Sequence, residues 1–469
     1  MGELVLAATV PHPPIMVEEV GKRETFKVQS TREAMGKLGE ELAKLAPDTL
    51  VVITPHGPVF ADAVTMPALE LLSGDLASFG ARQVALEYDR DGVLAELLEQ
   101  SCRDRGIPIA KLDEGMARQY GVRLRLDHGI VVPLSFFAHL EPKPRLLPIY
   151  MGLLPRERLY LFGMALQEAI QKSPGRVAVI ASSDLSHRVT PSAPAGYHPR
   201  GREFDLKLKE LLEVFDVPGI LAIPDDLRED AGECGYRPVL MMQGTLDGYE
   251  VDSQVLSYEA PFGVGYLVGR FRPGKPAAER KLWEGLQQQR QAQIQQRIQG
   301  ESTVVQLARR TLEQYFATGR LPKKPELSLP PELPKRAGAF VSLKQDGQLR
   351  GCIGTTGPTK ASLAEEIMAN AIKAATEDPR FNPVEPHELG ELTISVDVLG
   401  EPEPISSLDE LDPQKYGVIV RSGYRTGLLL PALEGVNTAE EQVDIARRKA
   451  GIGPHEPVKL ERFTVRRFT

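Results

Sequence analysis

The sequence predicts a two-domain α/β protein, and three observations carry that expectation. The chain has 469 residues, and at roughly 100–200 residues per domain this suggests two or three domains. In the first 270 residues, short apolar runs alternate with stretches of helical periodicity. Near residues 270–300 the composition then breaks, and a different set of elements follows. The expected boundaries are 1–270, a helical linker at 271–300, and a second domain at 301–469.

In the first part, LVLAATV, TLVVITP, RLLPIYMG and VAVIASS are apolar runs bounded by Pro, Gly or Ser, the pattern of buried strands. Between the first two, TREAMGKLGEELAKLAP places Met35, Leu38, Leu42 and Leu45 at helical spacing. DGVLAELLEQSCRDRG and ERLYLFGMALQEAIQKS repeat that pattern. Strands alternating with helices imply helices packed on both faces of a central sheet. In such sheets functional groups gather where strands end.

At the break, RFRPGKPAAERK leads into LWEGLQQQRQAQIQQRIQG, a Gln/Arg-rich stretch without a strong apolar stripe. It reads as a solvated helix. Beyond it, VVQLARRTLEQYF has Val304, Leu307, Leu312 and Phe316 at amphipathic spacing. Pro322, Pro325, Pro330, Pro331 and Pro334 make the next segment an extended surface stretch. GAFVSLK, a Gln-Asp-Gly turn and a strand from Leu349 read as a hairpin. LAEEIMANAIKAATED is a helix ending before Pro379, and LTISVDVLGEPEPI is a strand. GVIVRSGYRTGLLLPA is a second hairpin. TAEEQVDIARRKAGI is a helix opened by a Thr438/Glu441 capping box and stopped by Gly451.

Composition narrows the function. Charged residues make up 26% and the net charge is -8, which argues against a broad nucleic-acid surface. The basic clusters IARRKAG and KLERFTVRRFT read as solvated faces. The three cysteines, Cys102, Cys234 and Cys352, are far apart. They give neither a disulfide framework nor a CxxC zinc pattern, so a reducing cytoplasm is the expected setting. MGELVLAATVPHPP lacks a basic n-region and a long apolar core and reads as a first strand, not a signal peptide. No run approaches the ~18–20 apolar residues of a membrane span.

The histidines carry the chemistry. Eight occur, six of them before residue 200. His12 follows the first strand in VPHPP, His56 follows the second in TPHGP, and His187 follows the fourth in SSDLSH. His128 lies in LDHGIVVPL, ahead of a strand-like run. Flanking prolines restrict the backbone at His12 and His56, and a held imidazole meets a metal with little reorganisation. Imidazole suits Fe, Zn, Cu or Ni. A mononuclear Fe(II) oxygenase site needs two His, one carboxylate and open positions. Glu233 in DAGECGYRPVLMM is the preferred carboxylate, and Asp184 the rival, whose other role is a cap or turn former. Cys234, next to Glu233, is either a softer ligand or an inert packed residue. In the second domain LRGCIG stands out. Gly351 and Gly354 permit close backbone approach, Arg350 suits an anion, and Cys352 is either a nucleophile or a small buried residue.

VPHPP, TPHG, LDHGIVVPL, SSDLSH and GECGYRP, in that order, resemble class III extradiol dioxygenases of the LigB type and the Memo proteins that share their fold. The resemblance covers roughly residues 1–270. It implies His12, His56 and Glu233 as Fe(II) ligands, His187 as acid/base, and His128 beside oxygen or an aromatic substrate. The ECG segment is closer to the Memo pattern. There Cys234 is the residue near the metal, which favours redox or copper chemistry; zinc is a further alternative. LRGCIG, EDPRF, LTISVDVL and GLLLP resemble the AMMECR-type domain over roughly residues 300–469. The fusion looks like one component of the AMMECR–Memo–radical-SAM system, which implies a radical-SAM protein as partner. Two functions follow as expectations: an Fe(II)-dependent oxidoreductase related to ring-cleavage dioxygenases, or a metal-binding accessory protein that presents a substrate to that partner.

Overall fold

The computed structural model describes residues 2–469 except Lys323, Lys324, Glu326, Asp346, Gly347 and Glu434. Two compact units are present, residues 1–287 and 288–469. The division falls inside a 19-residue helix, Leu282–Gly300.

The first unit contains β1 (Glu3–Val10), β2 (Thr49–Thr54), β3 (Val64–Pro67), β4 (Leu71–Leu76), β5 (Ala81–Asp89), β6 (Ile109–Leu112), β7 (Arg145–Tyr150), β8 (Arg176–Ser182), β9 (Tyr249–Glu259) and β10 (Tyr266–Pro276). Eight of these form one sheet, in the order β6-β3-β7-β2-β8-β1-β10-β9. The four central strands, β7, β2, β8 and β1, are mutually parallel. Alternation along them sends side chains to two separate cores. Val51 and Ile53 face one core; Leu50 and Val52 face the other. Helices Gly92–Asp104, Arg156–Lys172 and Tyr236–Gly244 cover the first face. Helices Gln29–Leu45 and His128–Phe137 cover the second. This is the two-faced α/β arrangement expected from the sequence. β4 and β5 stand apart as a two-stranded hairpin.

One element differs from expectation. The run after His128, read as strand-like, is a helix over His128–Phe137 with Pro133 inside it. Asp127 caps it, its side chain accepting from the Gly129 N–H. Seven of its residues are buried, so an apolar run without visible periodicity concealed a helix buried nearly all round. The acidic segment before Glu233 is a short helix, Asp225–Ala231.

The second unit holds two four-stranded sheets. One joins β11 (Ala339–Gln345), β12 (Gln348–Gly354), β13 (Thr393–Leu399) and β18 (Val465–Phe468) in the order β12-β11-β13-β18. The other joins β14 (Glu403–Ile405), β15 (Gly417–Ser422), β16 (Arg425–Leu429) and β17 (Lys459–Phe463) in the order β14-β17-β15-β16. Helices Thr303–Thr318, Leu363–Thr376 and Ala439–Lys449 lie where the sequence placed them, the last with both halves of its capping box formed. β11 and β12 pair as a hairpin, while Asp346 and Gly347 of its expected turn lie outside the described residues. The buried Arg309 guanidinium meets the Glu301 carboxylate at 2.8 and 2.9 Å and donates to the carbonyls of Leu389 and Leu392. That arrangement satisfies a charge that would otherwise be costly to bury.

Leu166, fully buried in the first core, tests that packing. Leu166→Ala is expected to destabilise the first unit by about 2–5 kcal/mol. Trp283, the sole tryptophan, packs on the same core, so its fluorescence in a urea titration reads the loss. A change below about 1 kcal/mol would mean the site collapses freely and the core is not tightly packed.

Candidate metal centre

The C-terminal ends of β1, β2 and β8 lie side by side, and each delivers one part of the cluster. β1 ends at Val10, and Pro11 leads to His12, which is 2% exposed. The backbone N–H of His12 donates to Asp184 Oδ1 at 2.8 Å, fastening the loop after β1 to the loop after β8. β2 ends at Thr54, and His56 follows Pro55. Gly57 then turns with φ +84°, and a Cβ there would sit 2.7 Å from the Tyr150 ring. The turn that releases His56 therefore needs glycine.

His128 arrives from the first turn of its helix. Asp127 Oδ1 accepts from Gly129 N at 2.7 Å and from Thr54 Oγ1 at 3.0 Å, and Thr54 Oγ1 accepts from His56 N at 3.2 Å. One carboxylate oxygen thus joins the His56 turn to the His128 helix. A side chain at Gly129 would meet Thr54 Oγ1 at 2.5 Å and the His56 ring at 3.2 Å.

The result is a convergence of imidazoles. His12 and His56 face each other Nε2 to Nε2 at 3.0 Å. Ring centroids are 4.8 Å apart for His12–His56, 5.5 Å for His12–His128 and 4.2 Å for His56–His128. One ring nitrogen from each of the three lies within 4.8 Å of the others. Cys234 Sγ is 3.7 Å from both His12 Nε2 and His187 Nε2. Asp184 Oδ2 is 3.7 Å from His12 Nε2. Phe79, partly exposed beyond the tip of β4, lies 5.4 Å from His128, centroid to centroid.

Burial governs the charge state. It lowers the pKa of His12 well below the usual imidazole value, with the charges of His128 and His187 acting the same way. It lowers His56 to about 3, reinforced by the neighbouring imidazoles, and lowers His128 and His187, against the pull of Asp184. Asp184 is pushed up to about 6 by burial, and the Cys234 thiol well above its ordinary value. At neutral pH the imidazoles are therefore neutral, the form that binds metals. A bound cation would favour the ionised forms of the thiol and the carboxylate.

Glu233, the preferred carboxylate from sequence, is placed differently. Its Oε2 accepts from the backbone N–H of Tyr236 at 2.7 Å, at the start of helix Tyr236–Gly244, and Oε1 lies 4.0 Å from Arg228. The neighbouring Cys234 is the residue turned toward the imidazoles. The helix entry explains the difference, because an acceptor at its first turn satisfies an otherwise orphan N–H. His128, expected beside oxygen or the substrate, is grouped with His12 and His56. Asp127, Thr54 and Ser182 were not singled out from sequence, although an Asp directly before His128 carries the signal of a helix cap.

In the second unit Arg350 is already engaged. It forms a bidentate pair with Glu388 at 2.8 and 3.0 Å and donates to the carbonyls of Asn382 and Pro383. The anion it holds is therefore internal. Cys352 is partly buried; Ser342 Oγ lies 3.2 Å from its sulfur, and its N–H donates to Asp378. A Cβ at Gly351 would lie 2.0 Å from the Ala374 carbonyl oxygen, so this glycine serves close strand–helix packing.

The family described as the catalytic LigB subunit of aromatic ring-opening dioxygenase matches residues 6–269, and AMMECR1 matches residues 305–469. The chain belongs to the LigB family. It carries an AMMECR1 domain fused behind the LigB domain, and the same arrangement extends to a relative of similar length. That protein, from Clostridium acetobutylicum, is 39% identical over 459 residues, covering 98% of this chain and 97% of the relative. A Thermotoga maritima protein is 55% identical over 172 residues, 36% of this chain and 98% of its own length. A solved Pyrococcus horikoshii structure is 36% identical, covers 35% of this chain and 88% of its own, and has a TM-score of 0.33. Among the described residues of this LigB-related chain, no helix is long and apolar enough to cross a membrane.

Glu233→Gln separates helix capping from metal ligation. The amide oxygen still accepts from Tyr236, so metal content after purification is expected to match wild type. Loss of metal as complete as in His56→Ala would make Glu233 a ligand.

Proposed function

We propose that the LigB domain holds one non-heme metal ion on His12, His56 and His128, and that it acts as an oxidoreductase on a small chelating, aromatic substrate. The observation that carries this reading is the approach of three imidazole nitrogens, His12 buried and His56 and His128 partly buried, to within 4.8 Å of one another, with burial keeping the rings uncharged. The donor set fits a metal. Neutral imidazoles with a thiol and a carboxylate alongside suit iron(II), and they also accommodate zinc or copper. Iron(II) is the first choice, because a ring-opening relative needs a redox-active ion.

A bound iron(II) would supply Lewis acidity and a redox couple. The rest falls to the chain. His187, whose Nε2 lies 3.7 Å from the Cys234 sulfur, would take a proton from substrate and return it. Phe79 covers one side of His128 and offers a planar substrate an aromatic wall.

A second reading is favoured by Cys234, whose sulfur, and not the Glu233 carboxylate, lies against His12 and His187. In it the LigB domain is a metal-binding accessory module, and the fused AMMECR1 domain helps present a substrate to a radical-SAM partner.

Metal analysis and anaerobic Fe(II) titration, with and without catechol, test the first reading. Wild type is expected to bind about one equivalent. His12→Ala and His56→Ala should lose it, and His187→Ala should retain iron while losing turnover, in the range of 10²–10⁴-fold for a general acid/base. Equal iron binding by wild type and His56→Ala would overturn the assignment. A stable radical-SAM protein recovered by pull-down, with no small-molecule turnover, would favour the second reading.

A further inference from the structure

Ser182 ends β8 and is fully buried. Its hydroxyl touches two groups: Nδ1 of His12, at 2.8 Å, and the backbone carbonyl of Gly129. A hydroxyl has one hydrogen. The Gly129 carbonyl can only accept, so that hydrogen goes to Gly129. Toward His12 the oxygen then offers only lone pairs, and His12 must donate. The imidazole hydrogen is thereby set on Nδ1, and Nε2 carries the free lone pair. Nε2 is the atom that faces His56 at 3.0 Å, Cys234 at 3.7 Å and Asp184 at 3.7 Å.

We propose that Ser182 is a positioning residue that fixes the tautomer of His12, so that a bare Nε2 points into the cluster. A free neutral histidine prefers the opposite tautomer, with its hydrogen on Nε2. At 2% exposure His12 has little access to water as an alternative partner, so the Ser182 hydroxyl decides the matter. Gly129 belongs to the first turn of the His128 helix, so the same hydroxyl also ties His12 to that helix. The pair at 3.0 Å follows from this assignment: His56 donates from Nε2 and His12 accepts. The consequence for metal affinity rests on the metal reading above. The tautomer itself does not, and it is measured without metal.

The experiment uses the ¹⁵N-labelled, metal-free full-length protein at pH 7.5. Long-range proton–nitrogen correlation reads each imidazole, and His12 is assigned by the signal missing from His12→Gln. Wild type is expected to show His12 with hydrogen on Nδ1. Ser182→Ala should shift it to Nε2–H or to a mixture, and Ser182→Thr, which keeps the hydroxyl, should restore it. Zinc affinity, measured by competition with a chromophoric chelator, should fall about 10-fold or more in Ser182→Ala, as for other groups that orient a metal-binding histidine. Ser182→Thr should recover it.

A wild-type His12 with hydrogen on Nε2 would overturn the proposal. So would an unchanged tautomer in Ser182→Ala. The wild-type spectrum decides the question even where Ser182→Ala does not fold. An Nδ1–H signal that depends on Ser182 upholds the tautomer whether or not zinc binds. Absence of zinc binding in wild type would remove the metal reading alone.

Discussion

The end of β8 and the loop after it form the constraint on which the cluster depends. Ser182 holds the His12 ring, Asp184 holds the His12 backbone, and the Asp184 carbonyl lies 3.6 Å from the Cys234 sulfur. Two residues of this stretch, Ser182 and Asp184, therefore reach the segments of His12 and Cys234, and Ser182 also reaches that of Gly129. Parallel strands make this feasible, because β1, β8 and β2 are neighbours that end on the same edge of the sheet. Loops at such an edge gather side chains distant in sequence into one crevice.

Polar anchoring offsets the expense of burying so many titratable groups. Removing an imidazole from water disfavours its charged form, and the lowered pKa values of His12, His56, His128 and His187 express that. Neutrality removes the mutual repulsion that would otherwise push the rings apart. Each neutral ring keeps one lone pair, that of His12 directed inward at Nε2, and a few side chains hold the cluster: Thr54, Asp127, Ser182 and Asp184. A cluster organised in this way is pre-set for a cation, and a cation would favour the ionised forms of the adjacent thiol and carboxylate, both of whose pKa values burial raises.

Much of this was legible in the sequence. Strand ends followed by His12, His56 and His187 are visible because Pro and Gly punctuate the apolar runs. The nature of the element after His128 was hidden, since a short, mostly apolar run buried nearly all round carries no clear period to read. The choice between Glu233 and Cys234 was equally closed. Adjacent residues before a helix differ by a rotation of the backbone, and only the Tyr236 N–H reveals that the carboxylate serves the helix. Ser182 was invisible for another reason: its role depends on touching Nδ1 of a residue 170 positions away. In the AMMECR1 domain the unusual LRGCIG motif was plain, but its Arg350 is committed to Glu388, and Gly351 to packing against the helix Leu363–Thr376.

The central claim is that imidazoles from three segments bind one ion. X-ray absorption at the iron edge, on full-length protein loaded anaerobically with one equivalent of Fe(II), tests it most directly. The account predicts the outer-shell scattering of about three imidazole rings around the ion. A shell of oxygen atoms with no imidazole contribution would contradict it.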